Sequence, residues 1–168
     1  AWVESILIGW NVDGDLTGVF ARIVIVLFIL LMSLLANFIA KRVIITVAHG
    51  IASRTKSGWD DIIVSRGVLL RLSHIAPALV VYFLNPLAFP EIEWLTTAIQ
   101  RLSVAYMIGV TVLVIDAALD AAHDIYNSFS EQARERPIKG YIQLAKIFAV
   151  VICAVLIFTT LLDKSPLG

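Results

Sequence analysis

The sequence has little charge and no excess of either sign. Only 15% of its 168 residues are charged, and 13 Lys and Arg balance 13 Asp and Glu. An average soluble domain is about 25% charged. A soluble chain of this length leaves roughly 30% of its unfolded surface exposed to water, and this sequence has too few polar side chains to cover it. The composition therefore excludes a soluble enzyme. It also argues against a nucleic-acid binder, because no surplus of positive charge is available to neutralise phosphates.

Cysteine and the short catalytic motifs are nearly absent. The single cysteine, Cys153, lies in an apolar run and permits neither a disulfide within the chain nor a thiolate metal cluster. The sequence contains no Gly-x-Ser-x-Gly, no phosphate-binding glycine loop and no His-Glu-x-x-His, which are the patterns that position a nucleophile, a phosphate or a zinc ion. We therefore expect no enzymatic activity and no cofactor.

Long hydrophobic runs are what the sequence has in abundance. Hydrophobic residues make up 60% of the chain, and the mean hydropathy is +0.90. A membrane helix needs about 20 apolar residues, and four stretches meet this requirement: residues 19–40, 67–89, 94–115 and 140–162. The pattern predicts an all-α transmembrane region made of two helical hairpins, one within residues 19–90 and the other within 91–163.

The basic residues predict the orientation of these spans. Ten of the 13 lie on the side of the connections between spans one and two and between spans three and four: eight are in the connections, and Arg71 and Lys146 are near the adjoining ends of spans two and four. The other three are Arg22, Arg101 and Lys164. The positive-inside rule then places both connections in the cytoplasm and both chain termini in the periplasm.

The cytoplasmic connections are predicted to be helical. Residues 41–53 carry an amphipathic stripe and can continue the first span as one helix. Ser57 or Asp60 can cap a helix that runs through residues 61–65 into span two. The third span continues to about residue 132, which makes a rod of about 58 Å, and Pro137 begins the next helix.

Several ionisable residues lie inside the spans, and each is a functional candidate by default. Arg71, Arg101 and Lys146 are close enough to helix ends for their long stems to reach the headgroups, which we favour over a functional role. His74 is expected to be a hydrogen-bonded packing histidine rather than a proton relay. Pro77 leaves the carbonyl of Ser73 without its helical donor and predicts a kink.

A polar cluster on the third helix has two possible roles. Asp116, Asp120 and Asp124 recur every four residues, so they share one stripe, and His123 lies beside it. Such a stripe could bind a metal ion, but no second set of ligands is present on another helix. We therefore expect no metal, and predict that Asp116 and Asp120 form interhelical or headgroup contacts with Arg71 or Lys146 at similar depth.

Two segments resemble a known family. Residues 55–63 (TKSGWDDII), together with the span that follows, resemble the membrane region of mechanosensitive channels of the small-conductance family. Residues 137–147 (PIKGYIQLAKI) and 161–166 (LLDKSP) are closer to the miniconductance subgroup. The similarity covers roughly residues 17–168. The motif positions are Trp59, Asp60, Asp61, Pro137, Lys139, Gly140, Gln143 and Lys146.

The resemblance implies a division of the chain. In that subgroup each subunit has five spans, the fifth a Gly/Ala-rich pore helix followed by a cytoplasmic β-rich domain, and seven subunits assemble. Residues 1–18 would be a periplasmic segment, 19–90 the peripheral hairpin and 91–163 the sensor hairpin. Residues 164–168 would begin the linker to a pore helix after Gly168.

The expected function is membrane-tension sensing by a channel subunit of the bacterial inner membrane, which protects the cell from hypo-osmotic shock. Membrane lipids and identical subunits in a heptamer are the expected partners, without nucleic acid or a small-molecule substrate. Two alternatives stay open: a non-conducting membrane scaffold or assembly protein, and a fragment of a transporter or membrane enzyme.

Overall fold

The computed structural model describes residues 14–52, 59–129 and 139–162, which form six α-helices and no strand. Four stretches of these helices are long and apolar enough to cross a membrane: 18–47, 68–88, 93–128 and 139–162. The prediction of an all-helical chain with four stretches able to span a membrane is therefore confirmed for the described residues. The helices are α1 (Gly14–Ala52), α2 (Trp59–Ser65), α3 (Val68–Leu72), α4 (Ile75–Ala88), α5 (Glu93–Phe129) and α6 (Lys139–Leu162).

Helices α1 and α5 are much longer than a bilayer is thick. They contain 39 and 37 residues, so each is about 55–60 Å long against an apolar core of about 30 Å. Residues 41–52 continue the first span without a break, which is the extended form that their amphipathic stripe allowed. The expected capping residue Ser57 and helix-starting Pro137 lie outside the described residues.

The second span is not the single helix that the sequence predicts. A first break falls at Gly67, whose φ of 67° and ψ of 22° are left-handed. Glycine adopts this conformation without the steric cost that a Cβ carries. The prediction of a continuous helix from residue 60 into the span is therefore wrong, and α2 is a separate helix of seven residues ahead of α3.

A second break follows at Ser73 and His74. Pro77 has no N–H to donate to the carbonyl of Ser73, and that carbonyl instead accepts from the Ala76 N–H at 3.3 Å. The Ser73 and His74 N–H groups likewise donate three residues back, to Leu70 and Arg71. The interruption thus lies one turn before Pro77, where tighter 3₁₀-type bonds replace the α-helical ladder.

The short turn between α4 and α5 is held by side chains. Asn85 is buried, and its Nδ2 donates to the carbonyl of Thr96 at 2.8 Å. Thr96 Oγ1 in turn donates to the carbonyl of Phe89 at 2.8 Å. Arg22 of α1 reaches the same turn and pairs with Glu91 at 2.6 Å. These side-chain contacts join the end of α4, the start of α5 and α1 at this turn.

The packed interior consists mainly of small side chains. The buried apolar residues are Ala21, Ile29, Ala78, Ala88, Val110, Ala117, Ala121 and Cys153. Large apolar side chains point outward instead, and Leu34 and Phe83 are 68% and 69% exposed. The helices approach through alanines and present Leu, Ile, Val and Phe to their surroundings, as membrane helices do. Helix α5 contacts α2, α3, α4 and α6, whereas α1 packs on α2, α3 and α4.

We predict opposite effects for alanine at two glycines that have equal space. A Cβ at Gly67 or at Gly109 meets no atom within 4 Å, so the backbone alone sets the sign. Gly67→Ala should lose about 1–2 kcal/mol because its φ is left-handed. Gly109→Ala lies inside α5 and should gain up to about 1 kcal/mol. Thermal unfolding of the full chain in lipid nanodiscs measures both, and shifts of the same sign would contradict the left-handed turn.

Candidate functional site

The acidic stripe of α5 lies against cations from two other helices. Lys146 of α6 places its Nζ 2.8 Å from Asp116 Oδ1 and 2.8 Å from Asp120 Oδ1. Since the two aspartates are one helical turn apart, a single ammonium can contact both. The Lys146 side chain is 25% exposed, so its stem is largely covered while its charge is paired.

Asp116 also faces α3. Its Oδ2 lies 3.7 Å from Arg71 Nη1, which donates to the carbonyl of Leu113 at 2.7 Å. Asp116 thus stands between a guanidinium from α3 and an ammonium from α6. The expected candidates Arg71, Asp116, Asp120 and Lys146 are therefore brought together by three helices that are distant in sequence.

The third aspartate has a partner that sequence reasoning did not name. Arg66 Nε donates to Asp124 Oδ2 at 2.6 Å, and the carboxylate is only 31% exposed. Arg66 follows α2 directly, and the left-handed Gly67 redirects the chain behind it. A basic residue in a connection was visible in the sequence, but the break that positions it was not. We call Arg66, Arg71, Asp116, Asp120, Asp124 and Lys146 the interhelical charge cluster.

The interhelical charge cluster is electrically balanced, with three cations facing three carboxylates. Ion pairs exposed to water contribute about 0–1 kcal/mol each. Removal of one partner costs about 3–5 kcal/mol where the remaining charge is shielded from water. The six side chains of the cluster are between 25% and 44% exposed, so each of these ion pairs falls nearer the lower value.

His123 is the remaining member of the polar cluster on α5. No group of three or more His, Cys, Asp or Glu side chains within the described ranges could hold a metal ion. His123 Nε2 lies 3.1 Å from Asn127 Nδ2, and its buried Nδ1 has no partner there. A cavity of about 320 Å³ lies beside His123 and Asp120, and its other lining residues include the motif positions Lys139, Gln143 and Lys146.

The other predicted positions are dispersed. Pro77 lies in the first turn of α4, and its carbonyl accepts from Ser33 of α1 at 3.3 Å. His74 is half-buried, and within the described ranges its imidazole lacks the hydrogen bond that we expected. Arg101 lines a cavity with Glu93 and Trp94 near the opposite end of α5.

The structure describes only part of each family motif. Helix α2 begins with Trp59, Asp60 and Asp61 of the first motif. In the second motif, Pro137 lies outside the described residues and Gly140 is exposed in the first turn of α6.

Comparisons with family models, with curated proteins and with solved structures found no match to this chain.

We predict that Asp116→Ala destabilises the chain more than Asp124→Ala. Asp116 contacts cations on two helices, whereas Asp124 contacts only Arg66 among the described residues, about 12 Å further along α5. Each ion pair at this level of exposure contributes at most about 1 kcal/mol, so the expected loss is up to about 2 kcal/mol for Asp116, which loses two cations, and up to about 1 kcal/mol for Asp124, which loses one. Thermal unfolding in nanodiscs tests this order, and equal stabilities would mean that Asp116 is simply solvated.

Proposed function

We propose that this chain is the tension-sensing transmembrane region of a mechanosensitive channel subunit of the small-conductance family, nearest the miniconductance subgroup. The observation that carries the proposal is the pair of motifs at residues 55–63 and 137–147. The first precedes the apolar stretch 68–88 and the second overlaps the start of α6, and both stretches are long and apolar enough to span a membrane. We further propose two hairpins with periplasmic termini, identical subunits in a heptamer, and location in a bacterial inner membrane.

The distribution of apolar surface supports a role in sensing the bilayer. Helices α1 and α6 are the least buried of the candidate spans. In the most apolar segment of each, only 6% of the residues are buried inside the structure. Lipid or neighbouring subunits would cover the rest. A mismatch between an apolar helix and the bilayer costs fractions of a kcal/mol per Å. Tension thins the bilayer, and the small terms from many such helices add to bias a closed–open equilibrium.

The interhelical charge cluster supplies a means of coupling. Lys146 ties α6 to α5, and Arg71 and Arg66 tie the segments around α3 to the same stripe of α5. A tilt of α6 in the membrane would displace Lys146 and thereby Asp116. The contact between Asp116 and Arg71 of α3 would then change as well. In this proposal the cluster sets how the spans move together, and ion conduction belongs to another helix.

The proposed topology predicts which chain positions are accessible from each side. In a Cys153→Ser background, a cysteine at exposed Ser128 should react only with membrane-permeant reagents or in inverted vesicles. The matched variant Glu93→Cys, exposed at the other end of α5, should react from outside in intact spheroplasts. The reverse labelling pattern would refute the topology and the need for a further crossing before a cytoplasmic domain.

The channel proposal predicts tension-activated current in patches from cells that express the complete subunit. Deletion of residues 14–162 should abolish that response, because the spans that face lipid are lost. Asp116→Ala should shift the tension for opening without changing unit conductance. Glu93→Ala, which removes an exposed carboxylate of α5 outside the interhelical charge cluster, serves as its control and should leave the opening tension unchanged.

Three outcomes count against the channel proposal. A changed unit conductance in Asp116→Ala would contradict the assignment of the pore to another helix. An oligomer without current would favour the scaffold alternative, and substrate-dependent flux through the chain would favour the transporter alternative.

A further inference from the structure

An open groove follows the contact between α4 and α5. Two cavities of about 630 and 510 Å³ lie along it, and Tyr106 lines both. Their α5 wall recurs every three or four residues, so it is one stripe of the helix. Its members include Ile99, Leu102, Tyr106, Gly109 and Leu113. We call this feature the α4–α5 groove.

The opposite wall of the α4–α5 groove also consists of residues three or four positions apart, and its residue numbers fall as those of the α5 wall rise. Val81, Ala78 and Pro77 line the larger cavity, and His74 and Arg71 line the smaller one. The antiparallel stripes make the two cavities successive parts of one groove. From residue 99 to residue 113 it extends about 21 Å, somewhat more than the roughly 15 Å of hydrocarbon in one leaflet.

Most of the groove is apolar and unfilled. A Cβ placed on Gly109 would meet no atom within 4 Å, so nothing from this chain occupies the space beside it among the described residues. A groove at this depth in a bilayer is exposed to acyl chains rather than water. An acyl chain that enters it recovers the dispersion contacts that the empty walls lack.

The basic side chains that line the two cavities are Arg71 and His74, and both lie at one end of the groove. Arg71 uses Nη1 for the carbonyl of Leu113 and for Asp116, and the described contacts leave Nη2 and Nε available. Guanidinium groups bind phosphate oxygens through paired donors of this kind. The His74 imidazole lines the same cavity without a partner in the described ranges and provides one more donor.

We propose that the α4–α5 groove binds one phospholipid, with an acyl chain along Ala78, Tyr106 and Gly109 and the phosphate beside Arg71 and His74. An apolar groove with a guanidinium and an imidazole N–H donor at one end matches an amphiphile with a phosphate at one end of a hydrocarbon chain. Channel activity is not required for this binding, so it is measured without current and stands or falls separately from the proposed function.

The first test fills the groove. Native mass spectrometry of the full chain in detergent, titrated with phosphatidylglycerol, should find one tightly held lipid. Gly109→Leu should weaken binding at least about tenfold by occupying the apolar part. Gly18→Leu is the matched control, because a Cβ at that helical glycine also meets nothing within 4 Å and Gly18 lies outside the groove. Ala105→Phe fills the larger cavity and provides a second variant if Gly109→Leu fails to fold.

The second test separates the phosphate from the chain. The wild-type protein should bind phosphatidylglycerol about tenfold more tightly than diacylglycerol with the same acyl chains, the equivalent of one charge-assisted hydrogen bond. Arg71→Gln should remove this preference. Arg66→Gln, which changes a cation outside the groove, should keep it. The ratio of two affinities is insensitive to a partial loss of folded protein.

Two results would overturn the proposal. One is unchanged phosphatidylglycerol binding in both Gly109→Leu and Ala105→Phe, which would place the lipid elsewhere. The other is self-association of the wild-type chain that both filling variants abolish without loss of lipid, which would assign the groove to a helix of a second copy.

Discussion

The position of Asp116 between two cations is the interaction on which the arrangement of the inner helices most depends. Its carboxylate contacts Lys146 of α6 and lies 3.7 Å from Arg71 of α3, so three segments meet at one side chain. Apolar packing cannot define such a meeting by itself, because one alanine-lined face fits several rotations of a partner helix. Charges of opposite sign at defined positions along the helices select one register, since any other leaves a carboxylate or a cation without its partner.

The thin interior is the second constraint. Few side chains are buried, and most of those are alanines, so close backbone approach replaces the large interlocking core of a soluble domain. In the proposed function, the bilayer provides the packing partner for the outward Leu, Phe and Val side chains. A structure whose apolar contacts are largely with lipid is coupled to the thickness of the bilayer, and this supports the sensing function that we propose.

Breaks in the second span connect these two features. Gly67 and the turn at Ser73 and His74 divide the span into short segments, and the direction of each segment decides where Arg66 and Arg71 point. An unbroken helix would place the two arginines about 140° apart around its axis. The breaks instead bring both to the acidic stripe of α5, and they leave Arg71 and His74 at the end of the α4–α5 groove.

The sequence by itself determined the class of the protein and the number of candidate spans, because hydrophobic runs of 20 residues with few charges have no stable alternative to membrane helices. It also placed the aspartates on one stripe, since spacing by four is a property of the helix alone. Only the tertiary structure decided that Lys146 contacts two aspartates, that Asp124 pairs with Arg66 and that α4 and α5 leave a groove between them. These features depend on helix rotation and on the left-handed Gly67, and no periodicity along one chain segment encodes how another segment is turned toward it.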